Sequence, residues 1–434
     1  MISIIKRNGK LNIFFRKIEF DQIIDISFFA MLCVHFCVYG EDNYAYYTAF
    51  FLFVGASLIK VFMRMRFDGK INVPSVFWWY LAFALFAWAS VLWSEYPGIS
   101  VGSVVRFSQI LAILFCMSQS YATKDGFNRC LKLICWAGGV CAFYIFIRTP
   151  VSEWLRGSLG QTATKSNVNV IGMIMVVCAI FSLYQAYYLA KRSYYILVFV
   201  ETALIVFTSS RKSILTIVFA LIMMACIRSI DYKIFFRMLV AVGVAIIILY
   251  LIMNVDELYR SVGRRFESMW NHLQNNEGDN SMYARDMFIS YAKQYFLEKP
   301  IIGSGAATFS SKFGFDTGFY AYAHNNYYEI LVGVGLVGFS IYYSFYAYLF
   351  IKLMNIGFKF GDLTAKAMLT MLVSIMICEY GIVLYYSIYA LIFLCVAYLY
   401  VCVFDNEKSK KQSLPIRNNE ERLNISQNVL REGI

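Results

Sequence analysis

AHNNYYEILVGVGLVG, residues 323–338, can be read in two ways. Gly333, Gly335 and Gly338 have the G-x-G-x-x-G spacing of a dinucleotide-binding turn, whereas His324 and Asn325 stand just ahead of a long apolar run. The dinucleotide reading needs a preceding strand, an opening helix and an acidic residue about 20 positions on. Nothing acidic lies between Glu329 and Asp362, and Tyr327 to Phe350 reads as one uninterrupted apolar helix. The glycines are then small residues that let membrane helices approach closely. On this reading the stretch is the start of a transmembrane span.

The rest of the chain agrees. With 60% apolar residues, 18% aromatic and 15% charged, the 434 residues do not describe soluble domains. Apolar runs recur at about 23–39, 44–62, 75–93, 99–119, 130–147, 168–189, 194–209, 213–227, 235–253, 326–350, 365–382 and 385–404. Each approaches the roughly 20 helical residues that cross a hydrocarbon core of about 30 Å. The expected fold is an all-α, polytopic transmembrane bundle of about twelve spans, or eleven if the last two are one unit. It divides into an N-terminal membrane region (1–253), a large outer loop (254–323), a C-terminal membrane region (324–404) and a polar tail (405–434).

The net charge of +12 does not imply nucleic acid, because the basic residues follow the alternation of loops and form no single patch. Lys6, Arg7, Lys60, Arg64, Lys124, Arg129, Lys191, Arg192, Arg228, Lys233, Lys352 and Lys359 all fall on one side. The positive-inside rule makes that side, and both termini, cytoplasmic. The basic start leads into an apolar run without a small-residue cleavage site, so the first span is expected to stay as an anchor. The eleven cysteines lie in or beside spans, which argues against a disulfide framework. Cys33 and Cys37 share a helix face as packing residues.

Two outer segments, 148–167 and 254–323, are too long to be mere connections. In the second, a helix is predicted from a cap at Ser281 to Leu297, with Phe288, Ile289, Ala292 and Phe296 on one stripe. Arg285 lies on that stripe, one turn earlier, so it either snorkels past the apolar edge or faces an anion. Gly303-Ser304-Gly305 offers a turn with exposed N–H groups. His272 sits in an unpatterned part of the loop. FTSSRKS puts Arg211 and Lys212 at a hairpin tip at the outer face, where a cation is costly without a partner or cavity. Arg106, inside the fourth span, is positioned to reach the same cavity. His324, just ahead of a helix that Asn325 or Asn326 would cap, has the chemistry of a general base.

The elements T-S-S-R (208–211), S-M-Y-A-R (281–285), E-K-P-I-I-G-S-G (298–305) and the opening stretch together resemble the bacterial O-antigen ligase and O-antigen polymerase superfamily of membrane glycosyltransferases. The resemblance covers about 200–345 and implies a metal-independent, inverting glycan transfer from undecaprenyl diphosphate at the periplasmic face of the inner membrane, without a cofactor. It assigns catalysis to His324, Arg211 and Arg285. Arg264 and Arg265 share the loop role, Glu329 is structural, and Arg156 with Asn167 and Asn169 resembles an earlier outer loop. Arg106 and Asn325 complete the expected substrate contacts.

The chemistry fits the compartment. A sugar transferred where no nucleotide sugars are present must arrive activated on a lipid, and fixed guanidinium groups can stabilise the departing diphosphate. The expected partners are a lipid-linked glycan donor and acceptor, the bilayer and a chain-length regulator. Tyr320, Tyr322, Tyr327 and Tyr328 offer aromatic faces for sugars and favour the polymerase over the ligase. A lipid-linked oligosaccharide flippase is the rival from another class, but it would show repeated alternating-access halves and would not need a proton-accepting His.

Overall fold

A computed structural model describes residues 13–38, 44–68, 73–156, 159–226, 232–256, 259–275 and 280–413. These residues form an all-helical, multi-pass membrane bundle. Its helices are α1 (Ile13–Cys37), α2 (Tyr44–Asp68), α3 (Ser75–Ala89), α4 (Pro97–Tyr121), α5 (Lys124–Arg148), α6 (Gln161–Thr164), α7 (Val168–Leu183) and α8 (Tyr194–Phe207). They continue with α9 (Arg211–Cys226), α10 (Tyr232–Asn254), α11 (Arg264–Asn275), α12 (Asn280–Glu298), α13 (Phe309–Thr317), α14 (Asn326–Met354), α15 (Leu363–Glu379) and α16 (Ile388–Ser413).

Eight described helices are long and apolar enough to cross a membrane, fewer than the twelve expected. The shortfall falls on α8, α9 and α15, with 14, 16 and 17 residues, and on α10, many of whose side chains lie outside the described set. α7 and α16 form the centre of the bundle, apolar on almost every side as a fully enclosed helix must be. Aromatic pairs such as Trp79 and Phe345, stacked at 4.3 Å, close the contact between α3 and α14.

Charges at one end of the bundle pair with one another. Lys60 bonds Asp21, Arg129 reaches Asp25 at 2.8 Å and Asp21 at 3.4 Å, Lys124 meets Glu407, and Lys352 meets Asp405. The last helix continues through Ser413, past the expected end of the span at 404.

At the opposite end the long loop is a built subdomain. Phe288, Ala292 and Tyr295 of α12 pack on Phe309 and Phe313 of α13, and Val332 of α14 joins the same small core. The expected stripe on α12 was one position short, since Tyr295 is buried and Ile289 only half-buried. Lys299 and Lys312 both pair with Glu95, which tethers this subdomain to the start of α4. His272 lies in α11, a helix that sequence reading missed, and meets Asp286 of α12 at 3.1 Å.

The expected uninterrupted helix at 327–350 is broken. Gly335 adopts φ 62°, ψ −168° within α14, and the loop segment 300–305 enters the gap. The Ser304 and Gly305 N–H groups donate to the Val332 and Gly333 carbonyls, both at 2.8 Å. In return Leu336 and Val337 N–H donate to Pro300 and Ile301. Of the N–H groups expected to be exposed at Gly303-Ser304-Gly305, those of Ser304 and Gly305 are therefore committed to the break, and that of Gly303 donates to the Lys299 carbonyl. Of the three spaced glycines, only Gly338 serves helix packing as expected, beside Phe86 of α3. Gly333 and Gly335 instead admit the loop backbone, because a Cβ on Gly335 would lie 2.4 Å from the Ile301 carbonyl oxygen.

Candidate active site

Asn325 caps α14, its side-chain oxygen accepting from Tyr328 N–H at 3.2 Å. It is buried, and it is the cap that the sequence reading expected of Asn325 or Asn326. Asn326 is equally committed: its oxygen accepts from Leu384 and Tyr385 N–H, and its amide donates to the Tyr343 hydroxyl. Glu329 reaches back from the first turn of α14 to accept from Ala323 N–H at 2.8 Å. With these three residues held, the chain between Ala323 and Asn325 makes a tight turn, and His324 takes the left-handed φ of 51°. Non-glycine residues pay for that conformation, and such strain gathers at functional sites.

Replacing Glu329 with Leu would leave the buried Ala323 N–H without an acceptor, at a cost of about 1–3 kcal/mol. Thermal unfolding in detergent should show that loss. Glu329→Gln, which keeps an oxygen, should melt close to the parent protein.

The His324 ring is held between two aromatics. Tyr322 lies 3.9 Å away, centre to centre, and Phe288 of α12 stacks nearly parallel at 5.5 Å. Its Nδ1 is buried without a hydrogen-bond partner among the described residues. Burial first, and then the positive charges of Arg285 and Lys212, hold the imidazole down at about 4, below its ordinary 6.5. The ring is therefore neutral at physiological pH.

Arg211 opens α9 directly after the T-S-S-R turn, where Ser209 also has a left-handed φ, of 53°. It donates to the Arg265 carbonyl at 2.7 Å and to the Ser281 hydroxyl at 3.4 Å, one turn of α12 before Arg285. Arg265 returns the contact by donating to the Ser209 carbonyl at 3.3 Å. The span-end turn and the loop are thus laced together, and Arg211, Lys212 and Arg285 come to the side of the bundle that holds His324. Lys212 was noted in the sequence only as a residue of the hairpin tip. Its ammonium lies 6.0 Å from the Tyr380 ring and passes over Gly381, where there is no side chain to obstruct it.

The earlier outer loop reaches the same place. Asn167 donates to the Tyr322 hydroxyl at 3.3 Å, and Asn169 accepts from Ser210 at 2.8 Å. The Arg156 side chain lies outside the described residues. Arg264 is exposed on α11. Arg106 stands apart from the position expected for it, lining a different cavity with His35 that none of Arg211, Arg285 and His324 lines. Of the four tyrosines expected to face sugars, Tyr322 touches His324 and Tyr320 is exposed. Tyr327 turns inward and donates to the Met376 carbonyl, and Tyr328 lies under Lys293.

Residues 195–343, from α8 into α14, match the family model described as O-antigen ligase. That segment holds the T-S-S-R turn, the loop subdomain and the His324 turn. That match supports the O-antigen ligase and polymerase superfamily. Members of this superfamily are membrane glycosyltransferase-like enzymes. Comparison with curated proteins finds no match. The superfamily segment contains Arg211, Lys212, Arg285 and His324, whereas Arg106 and Asn167 come from helices and loops before it.

Proposed function

We propose that the chain polymerises lipid-linked oligosaccharide repeats of O-antigen or a related surface polysaccharide at the periplasmic face of the inner membrane. The donor is a glycan on undecaprenyl diphosphate, transferred with inversion and without a metal ion. The observation that carries this reading is the His324 ring, neutral and strained in its turn, beside the cations Arg285 and Lys212. Such a pair of features suits the two demands of the reaction. As the anomeric C–O bond breaks, charge grows on the diphosphate oxygen, where fixed cations in a partly dry site stabilise it. On the other side of the sugar, the imidazole accepts the proton of the attacking hydroxyl. Arg211 and Arg285 hold the donor diphosphate, and the subdomain at 254–323 covers it so that water does not compete. The membrane regions 1–253 and 324–404 carry this cover, and 405–434 is a cytoplasmic tail.

The description of the matching family favours a second reading, ligation of a finished glycan to lipid A-core. Extraction of lipid-linked glycan from a host lacking the gene separates the two. Accumulated single repeats support polymerisation, and long unattached chains support ligation. Purified protein that moves lipid-linked glycan across a vesicle membrane without forming bonds would overturn both.

The pH profile tests the base. An imidazole held at about 4 is unprotonated, and so active, above that pH, and activity falls as pH drops through it. The acidic limb of kcat/KM, which reports the free enzyme, should therefore lie near pH 4 and not near 6.5. Bound diphosphate offsets the charges of Arg285 and Lys212, so the limb of kcat should lie higher. A kcat/KM limb at 6.5 would mean that burial and the neighbouring cations do not depress the imidazole, and an acidic limb unchanged in His324→Asn would remove His324 from the base role.

A further inference from the structure

Two asparagines at the start of α7 each hold a different half of the site. Asn167 is the N-cap: its side-chain oxygen accepts from Asn169 N–H at 2.9 Å, and its carbonyl accepts from Val170 and Ile171 N–H. With that oxygen spent on the cap, the amide nitrogen is left to donate, and it reaches the Tyr322 hydroxyl at 3.3 Å. The Tyr322 ring in turn lies 3.9 Å from the His324 ring. Two residues on, the Asn169 oxygen accepts from Ser210 Oγ at 2.8 Å. Ser210 stands between Ser209, with its left-handed φ of 53°, and Arg211. Ser210 Oγ also lies 2.9 Å from Ser213 Oγ, and Gly172 leaves room for that pair, because a Cβ there would lie 2.2 Å from Ser213 Oγ.

Both bonds start from one rigid post. α7 is buried on every side from Ile171 to Ser182, and close packing of that kind leaves its first turn little freedom to follow either partner. Tyr322 and the Ser209–Ser210 turn, by contrast, lie outside regular helices, so their orientation depends on the bonds that reach them. A misplacement of about 1 Å in a reacting constellation costs on the order of 10²-fold in rate. We propose that Asn167 and Asn169 are positioning residues that hold the proton-accepting and anion-binding halves of the site separately, Asn167 through Tyr322 on His324 and Asn169 through Ser210 on Arg211. Both asparagines precede the segment that matches the family model, so the N-terminal region sets the geometry of a site whose reacting groups it does not supply. This inference rests on the transferase reading above.

Two readouts on the purified full-length protein in detergent test it. Acylation of His324 by diethyl pyrocarbonate, followed by mass spectrometry of its peptide, reports the wall around the imidazole, and affinity for undecaprenyl diphosphate reports the Arg211 half. Asn167→Ser keeps a cap but is too short to reach Tyr322; it should speed His324 acylation by about threefold or more and leave the affinity within about twofold. Tyr322→Phe removes the same bond from its other end and should act in the same direction, which keeps the test open if Asn167→Ser does not fold. Asn169→Ala, like Ser210→Ala, should weaken the affinity by about three- to tenfold and leave acylation at the parent rate. Within each pair the double variant should do no more than its stronger member, because one bond is lost only once. In turnover of a purified lipid-linked repeat, Asn167→Ser should then lower kcat and Asn169→Ala should raise KM. If the four variants move acylation and affinity together, the start of α7 is only a helix cap and the proposal falls; parental values in all four overturn it as well. If acylation and affinity separate as expected while kcat and KM follow neither, the asparagines keep their positioning role and the transferase reading loses its assignment of His324 and Arg211.

Discussion

His324→Asn is expected to lower kcat for glycan transfer by about 10²–10⁴-fold, the range contributed by a positioned general base. Asparagine is the informative replacement because of the backbone. His324 has φ 51°, a region that Asn enters readily and Ala does not. His324→Ala would put in this left-handed turn a residue that, unlike His and Asn, is not enriched there, confusing folding with chemistry. With Asn in place the turn should persist, since the bonds of Glu329 to Ala323 N–H and of Asn325 to Tyr328 N–H do not involve the ring. Donor binding should also persist, because the proposed phosphate contacts belong to Arg211 and Arg285. Transfer from a purified lipid-linked repeat, measured together with donor affinity, checks both. Activity within about tenfold of the parent would exclude the imidazole from proton transfer.

The second large effect concerns a glycine far from any reacting atom. Gly303→Ala is expected to destabilise the loop subdomain by about 2–5 kcal/mol, from left-handed strain and overpacking together. Gly303 has φ 70°, and a Cβ there would meet the Gly333 carbonyl carbon and oxygen at 2.5 Å. Those are backbone atoms of the broken helix α14 and have no rotamer with which to move aside. Gly318 provides the control, for its φ is 75° but nothing lies within 4 Å of an added Cβ. Gly318→Ala should lose only about 1–2 kcal/mol, the strain without the collision. Protease cleavage within 254–323 and the melting temperature in detergent distinguish the two. Similar losses in both variants would mean that close approach at Gly303 does not matter.

The reason a glycine turn reaches the chemistry is mechanical. Segment 300–305 connects the end of α12 to the gap in α14, and α12 carries both Arg285 and the Phe288 ring that stacks on His324. If the segment leaves the gap, the aromatic wall of the site and one of its cations leave with it. Transfer activity in Gly303→Ala is therefore expected to fall in parallel with loop protection, whereas in Gly318→Ala it should stay close to the parent value.

Much of the site was legible because its residues violate the habits of a membrane chain. Arg211 at the outer end of a span, Arg285 on an apolar stripe and a histidine before a helix start each stand out locally. Asn325, one of the two residues read as a cap for the helix that follows, is the cap in the fold. Other residues gave no local signal. Lys212 looked like a neighbour of Arg211, and only the absence of a side chain at Gly381 shows the path of its ammonium. Tyr322 was one of several tyrosines until Asn167, from a loop 155 residues away, oriented its hydroxyl. Arg106 lines a cavity with His35, and sequence offered only its depth along a helix, which says nothing about the direction in which a side chain points.

Composition and the spacing of apolar runs by themselves determined that this chain is a helical, multi-pass membrane protein, since the length of a hydrocarbon core and the rise of a helix allow little else. Of the helices on 254–323, α12 was equally readable, because amphipathic periodicity is a local property. The break in α14 was decided only by the tertiary structure. Within the sequence Gly333-Val334-Gly335 is compatible with a continuous span, and what ends the helix there is a set of hydrogen bonds from residues 300–305, formed once the loop has docked. Backbone groups lose helical partners only where other partners replace them, and in a membrane those replacements come from elsewhere in the fold.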